Sequence, residues 1–224
     1  MSKKPFKVAH LADIHWRSLA RHAEYRVAFE ELFEILKDTS PDVVVIAGDI
    51  VHSKIQGITP ELIEMLSWWF RELSKLVRIV HVTLGNHDGL LHNKDRQDAI
   101  TPILEALALP NVVLHKTSGA YETSDERFRI CVMSCFDEEG WENAKPVDGK
   151  INIAVYHGAV RNSQTDAGWN LEGEIKCDVF KDYDMTMLGD IHKRQDVAYK
   201  NVEIIINEED LSKYPDAIIL EYFE

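Results

Sequence analysis

The chain has 224 residues, 45% of them hydrophobic, enough for one large domain with a full core and a tight fit for two independent ones. A formal charge of −13 argues against nucleic acid held on a broad basic surface, because such binding rests on neutralising phosphates; any contact with DNA must be local, metal-mediated or shared. Cys131, Cys135 and Cys177 include no Cys-x-x-Cys pair and read as small buried residues, and with neither a bilayer-length apolar run nor a secretory leader the chain reads as cytoplasmic, with no membrane partner.

Apolar β-rich runs alternate with helix-patterned segments, the pattern of an α/β fold. Strands are predicted at 6–12, 42–48, 77–85, 112–115, 127–135, 151–157 and 184–188, with weaker signals at 195–206 and 217–223. Helices are predicted at 22–38, at 60–76 and at 96–108. The second opens with Thr59 as N-cap and Pro60 at its first position, while Pro102 is a blemish on the third. In the helix at 60–76, Leu62, Leu66, Trp69, Phe70, Leu73 and Leu76 form the core face, and Trp68 is expected on the opposite, exposed side. The best loops are 137–150 and 158–174, the second long enough to suggest a working role.

Polar groups able to bind metal collect just past the strand ends: Asp13 and His15, then Asp49, then Asn86, His87 and Asp88, then His157, then Asp190 and His192. In an open α/β sheet the carboxyl ends of strands are where a ligand crevice forms, so five such ends point to one place. Residues two apart in extended chain project to the same side, so Asp13 with His15, and Asp190 with His192, can each aim two groups into one pocket. Carboxylate, imidazole and amide oxygen together suit manganese, iron(II) or zinc better than a thiolate-loving metal. Asp49, alone at the end of a central strand, is placed to bridge two ions, an arrangement that clamps a phosphoryl group.

The strings DIH, GDIVH, GNHD, YHG and GDIH resemble the successive motifs of the calcineurin-like metallophosphoesterases. Their framing, VAHLADIHW, VVVIAGDIVHS and GNHDGLLHNKDRQDAITPILEAL, is most similar to the nuclease subunit of DNA double-strand-break processing complexes: SbcD, its MRN-complex counterpart and related phage recombination nucleases. The resemblance implies a four-layer α/β sandwich of two mixed β-sheets flanked by helices. It also implies a catalytic domain over 1–200, with 201–224, which holds seven acidic side chains and one lysine, as an acidic strand segment completing it. One divalent ion would be held by Asp13, His15, Asp49 and His192, and a second by Asp49, Asn86, His157 and Asp190. Manganese is the expected metal, with magnesium, iron(II) or zinc as alternatives. His87 would contact the scissile phosphate, oriented by Asp88, while His52 is expected to be structural or supporting. His10, His22, His81, His92 and His115 read as core or surface. Most of the superfamily has histidine where Asp190 stands; an aspartate can reach the same ion through oxygen, so Asp190 is expected to be a ligand.

Arg17, Arg161, Lys193 and Arg194, with Lys54, Lys94 and Arg96, lie in or beside the strand-end loops and are candidates to grip phosphates, and Trp169 could stack on an unpaired base. The resemblance further implies a homodimer through the helices at 60–76 and 96–108 and an SMC-like ATPase partner. The closing KYPDAIILEYFE lacks the glycine-containing strand turn expected there, so the chain reads as a shortened form or a compact variant. The leading expectation is a manganese-dependent DNA exonuclease and single-strand endonuclease of recombination or repair. A small-substrate phosphatase or phosphodiesterase, and a non-catalytic binding module on the same fold, are the alternatives.

Overall fold

The computed structural model describes residues 6–53, 57–161, 163, 169, 173, 175–191 and 218–223. Two mixed sheets stack face to face. The first has the order β4-β3-β2-β1-β9, in which β1 (Phe6–Leu11), β2 (Val43–Ala47), β3 (Val80–Thr83) and β4 (Val112–His115) run parallel and β9 (Ile218–Phe223) pairs antiparallel with β1. The second has the order β5-β6-β7-β8: β6 (Phe128–Met133), β7 (Ile151–His157) and β8 (Met185–Gly189) are parallel, and β5 (Gly119–Glu122) is antiparallel to β6.

Strand alternation sorts the side chains into three apolar layers. Ala9, Leu11, Val44, Ile46, Val80 and Val82 face outward from the first sheet and pack under helices α1 (His22–Thr39), α2 (Pro60–Leu76) and α3 (Thr101–Leu107). Phe6, Val8, Val43, Val45 and Ala47 meet Phe128, Ile130, Val132, Ile153, Val155 and Met187 between the sheets. Cys131, Met133, Ala154 and Tyr156 line the outer face of the second sheet under Ala144 and Phe180, which belong to the 3-10 turns Glu139–Ala144 and Cys177–Phe180. Among the described residues that outer layer is made of short turns, where the first sheet has full helices.

Three expectations change. The helix predicted at 96–108 spans only Thr101–Leu107, because the carboxylate of Asp98 accepts from the N–H groups of Ile100 and Thr101 and so starts the helix there. Pro102 therefore lies in the first turn, where its missing N–H costs no hydrogen bond. Trp68 is half-buried: it packs edge-on to Phe33 of α1 and lies under the Arg26 guanidinium, 4.1 Å from its ring centre. Strand β5 carries no strand signal in the sequence, since GAYE has too few apolar residues to alternate visibly. Cys131 and Cys135 are buried as expected, whereas Cys177 is partly exposed. The weak strand at 195–206 lies outside the described residues.

Candidate metal centre

The parallel strands of both sheets deliver their carboxyl ends to one place. After β1, the N–H groups of Asp13 and His15 bond to the carbonyls of Gly48 and Asp49, tying the first strand-end loop to the second. Across the sheets, the N–H of Asp190 donates to both carboxylate oxygens of Asp13, at 2.9 and 3.0 Å. Two glycines make this approach possible. A Cβ on Gly189 would stand 2.0 Å from the carbonyl oxygen of Ala47, and one on Gly85 would stand 2.1 Å from Oδ1 of Asp49. Backbone strain collects at the same point. Asp13, His15, Asp49 and Asp190 all adopt the left-handed region, with φ of 54°, 51°, 52° and 75°. Aspartate and histidine are among the few residue types that enter it readily.

Two groups of potential ligand atoms result, each with its atoms within 4.8 Å of one another: Asp13, His15 and Asp49, and Asp49, His157 and Asp190. Asp49, 1% exposed, divides its carboxylate between them. Oδ1 lies 3.3 Å from Nε2 of His157, and Oδ2 lies 3.7 Å from Nε2 of His15 and 3.9 Å from that of His87. The Nδ1 of His157 is 2.7 Å from the carbonyl of Ala47 and must donate to it. In a neutral ring that leaves Nε2 as a lone pair, buried in the pocket with no hydrogen-bond partner. Its 3.3 Å approach to Asp49 is a charge contact without hydrogen-bond alignment. Asn86 donates from Nδ2 to Oδ1 of Asp190 at 3.3 Å, and turning its amide end for end would present an oxygen instead.

The electrostatics favour a cation. Burial by itself would lower the pKa of His157, but the carboxylates of Asp49 and Asp13 overcome it and push it up to about 9. Burial likewise pushes Asp49 upward, and the contacts from His157 and the N–H of His87 outweigh it, leaving the carboxylate below its ordinary range. A pocket that draws a proton onto a buried imidazole also suits a divalent ion on the same nitrogen.

His87 stands beside this cluster with its side chain 41% exposed. Its Nδ1 donates to the carbonyl of His52, so Nε2 is the nitrogen that faces the pocket. The expected partner, Asp88, does something else. Fully buried, its carboxylate accepts from the N–H groups of Gly85 and Val51, at 2.8 and 2.9 Å, bracing the two loops. Burial and the nearby charge of Asp49 push its pKa up to about 7. The carbonyl of His52, which no pattern in the letters marks, is the group that orients His87. The His52 ring also forms a third group with His15 and His87, its atoms again within 4.8 Å, closer to the cluster than a purely supporting role implied.

Of the expected phosphate-gripping residues, Arg17 is exposed and near enough to His52 to lower its pKa, after the larger effect of desolvation. Arg161 is exposed, with Nε bonded to the carbonyl of Gly173 at 3.3 Å. Lys94 and Arg96 are exposed on the loop after His87, and Trp169 is 75% exposed. Lys54, His192, Lys193 and Arg194 lie outside the described residues.

Residues 6–194 match the calcineurin-like phosphoesterases. The chain is similar to the uncharacterized protein R555 of Acanthamoeba polyphaga mimivirus, 37% identical over 203 residues, which is 84% of this chain and 15% of that protein. It is similar to the DNA double-strand break repair protein Mre11 of Archaeoglobus fulgidus, 32% identical over 131 residues, 55% of this chain and 28% of that one. It is also similar to the uncharacterized metallophosphoesterase YkoQ of Bacillus subtilis, 28% identical over 98 residues, 43% of this chain and 32% of that one. The matched stretches thus span between 15% and 32% of these relatives. No helix among the described residues is long and apolar enough to cross a membrane. The family match runs through every strand end that builds this centre, and the chain belongs to the calcineurin-like phosphoesterase family.

Proposed function

We propose that this chain is a two-metal phosphodiesterase acting on DNA, as a nuclease of recombination or repair, with manganese as its working metal. The observation that carries the hydrolytic reading is Asp49, buried and sending one carboxylate oxygen toward each of two ligand groups, with His87 beside it. The similarity to an archaeal protein named for DNA double-strand break repair supports DNA as the substrate.

In this reading Asp13, His15 and Asp49 hold one ion, with His192 as a further ligand, and Asp49, Asn86, His157 and Asp190 hold the other. Two such ions supply Lewis-acid polarisation of the phosphoryl group and neutralise the charge that develops on it. The protein's own part is orientation and proton transfer. Nδ1 of His87 stays protonated on the His52 carbonyl, and Nε2 presents a proton to the phosphate or to the departing oxygen when the ring is charged. Asp88 holds the loop that carries His87 and touches no substrate. Arg17 and Arg161, with Lys193 and Arg194, grip phosphates along the strand without reading its sequence. An SMC-like ATPase and a second copy of the chain are proposed partners.

Purified protein with manganese, offered single- and double-stranded DNA beside a chromogenic phosphodiester and a phosphomonoester, tests the reading. Cleavage of DNA is the expected result. Turnover of the small esters alone would replace DNA with a small substrate, and inertness toward all of them in metal-loaded protein would make the chain a binding module.

A further inference from the structure

We propose that Asp190 sets the metal preference of the second ion position, making it an oxygen-rich site that retains manganese or magnesium against zinc. The inference rests on the two-metal reading above. The groups that converge there are Oδ1 of Asp49, Oδ1 of Asp190, the amide of Asn86 and Nε2 of His157. Once the Asn86 amide turns its oxygen inward, the position offers three oxygens and a single nitrogen. Carboxylate and carbonyl oxygens suit magnesium and manganese, whereas added imidazoles favour zinc and its neighbours. The buried Nε2 of His157, aimed at both carboxylates without forming a hydrogen bond, marks the position as a ligand site and not a mere gathering of acids.

Position 190 touches both groups of candidate ligands. Its side chain is 4.0 Å from Nε2 of His157 and its N–H holds the carboxylate of Asp13 in the other ligand group. A side-chain replacement that keeps the backbone in place therefore alters one site while preserving the link to the other. Its φ of 75° is tolerated by asparagine and histidine as well as aspartate, which makes Asp190→Asn and Asp190→His suitable probes.

The experiment is a manganese titration of the full chain followed by electron paramagnetic resonance, with zinc added in competition, on the parent and both variants. Melting of the metal-free proteins confirms that each is folded. Two manganese ions per chain are expected for the parent. Asp190→Asn should weaken one of them by at least about tenfold, the scale on which lost ligand or supporting groups affect metal affinity. Asp190→His should let zinc displace that ion at roughly tenfold lower concentration or less. Titrations of both variants that overlay the parent would overturn the proposal, and if Asp190→His did not fold, Asp190→Asn would decide alone. Failure of the parent to cut DNA, with the metal shifts as expected, would overturn the DNA reading and leave this one standing.

Discussion

The His87 ring is held by one main-chain carbonyl, and that single contact determines which of its nitrogens faces the pocket. Replacing it by alanine removes the open Nε2 while sparing both ligand groups. The expected outcome is a fall in phosphodiester hydrolysis of about 10²–10⁴-fold with the manganese count unchanged, checked by turnover and metal analysis of the same sample. A loss of bound metal would instead make His87 a ligand. His157 is oriented in the same way by Ala47, but its free nitrogen is sealed from solvent, which fits coordination and not proton delivery. The Asp-x-His and Gly-Asn-His-Asp strings were readable as candidate site residues because adjacent letters report what one strand end can present. The carbonyls that fix the two rings, and the true work of Asp88, come from loops distant in the chain, and no local pattern encodes them.

Helix boundaries follow the caps. Thr59 accepts from the N–H of Leu62 at 3.2 Å and donates to the carbonyl of Ser18 at 2.7 Å, so it both starts α2 and pins it to the loop after His15. Thr59→Ala should cost about 1 kcal/mol in chemical denaturation. At the other end of α3, Ala108 sits in the left-handed region with φ of 48°, a position that favours glycine. Ala108→Gly should raise stability by about 1 kcal/mol, read as a higher denaturation midpoint at unchanged slope. The core face of α2 was legible from its period. The burial of Trp68 was not, because periodicity reports one apolar face, whereas the covering of a second face depends on where α1 lies.

Among the described residues, three histidines that the proposed chemistry does not use are buried between the sheets: His10, His81 and His115. Nδ1 of His81 and Nε2 of His115 are 2.9 Å apart, and the Tyr121 ring of β5 lies 4.0 Å from that of His115, joining the two sheets. Desolvation lowers all three, His10 and His81 from 6.5 to about 4 and His115 to about 3. At these three positions the unfolded chain binds protons that the fold excludes, so their contribution to stability is complete above pH 6.5 and declines as pH falls toward 4, whereas Asp88 and His157, whose pKa values the fold raises, work in the opposite direction. His10 alone should account for about 3 kcal/mol over that window. Urea titrations of the metal-free parent and of His10→Gln at pH 7 and pH 5 isolate the His10 share: between pH 7 and pH 5 the parent should lose more stability, or gain less, than the variant, and identical pH responses of the two proteins would refute the account. The candidate ligands at the strand ends and the alternation of helix and strand were written in the letters, because each depends on a short stretch of chain and its period. The position of Asp49 between two groups of candidate ligands, the contact of Asp190 with Asp13 and the closeness of Gly189 to Ala47 arise only when two sheets stack, since they are distances between segments that the chain keeps as many as 177 residues apart, as Asp13 and Asp190 are.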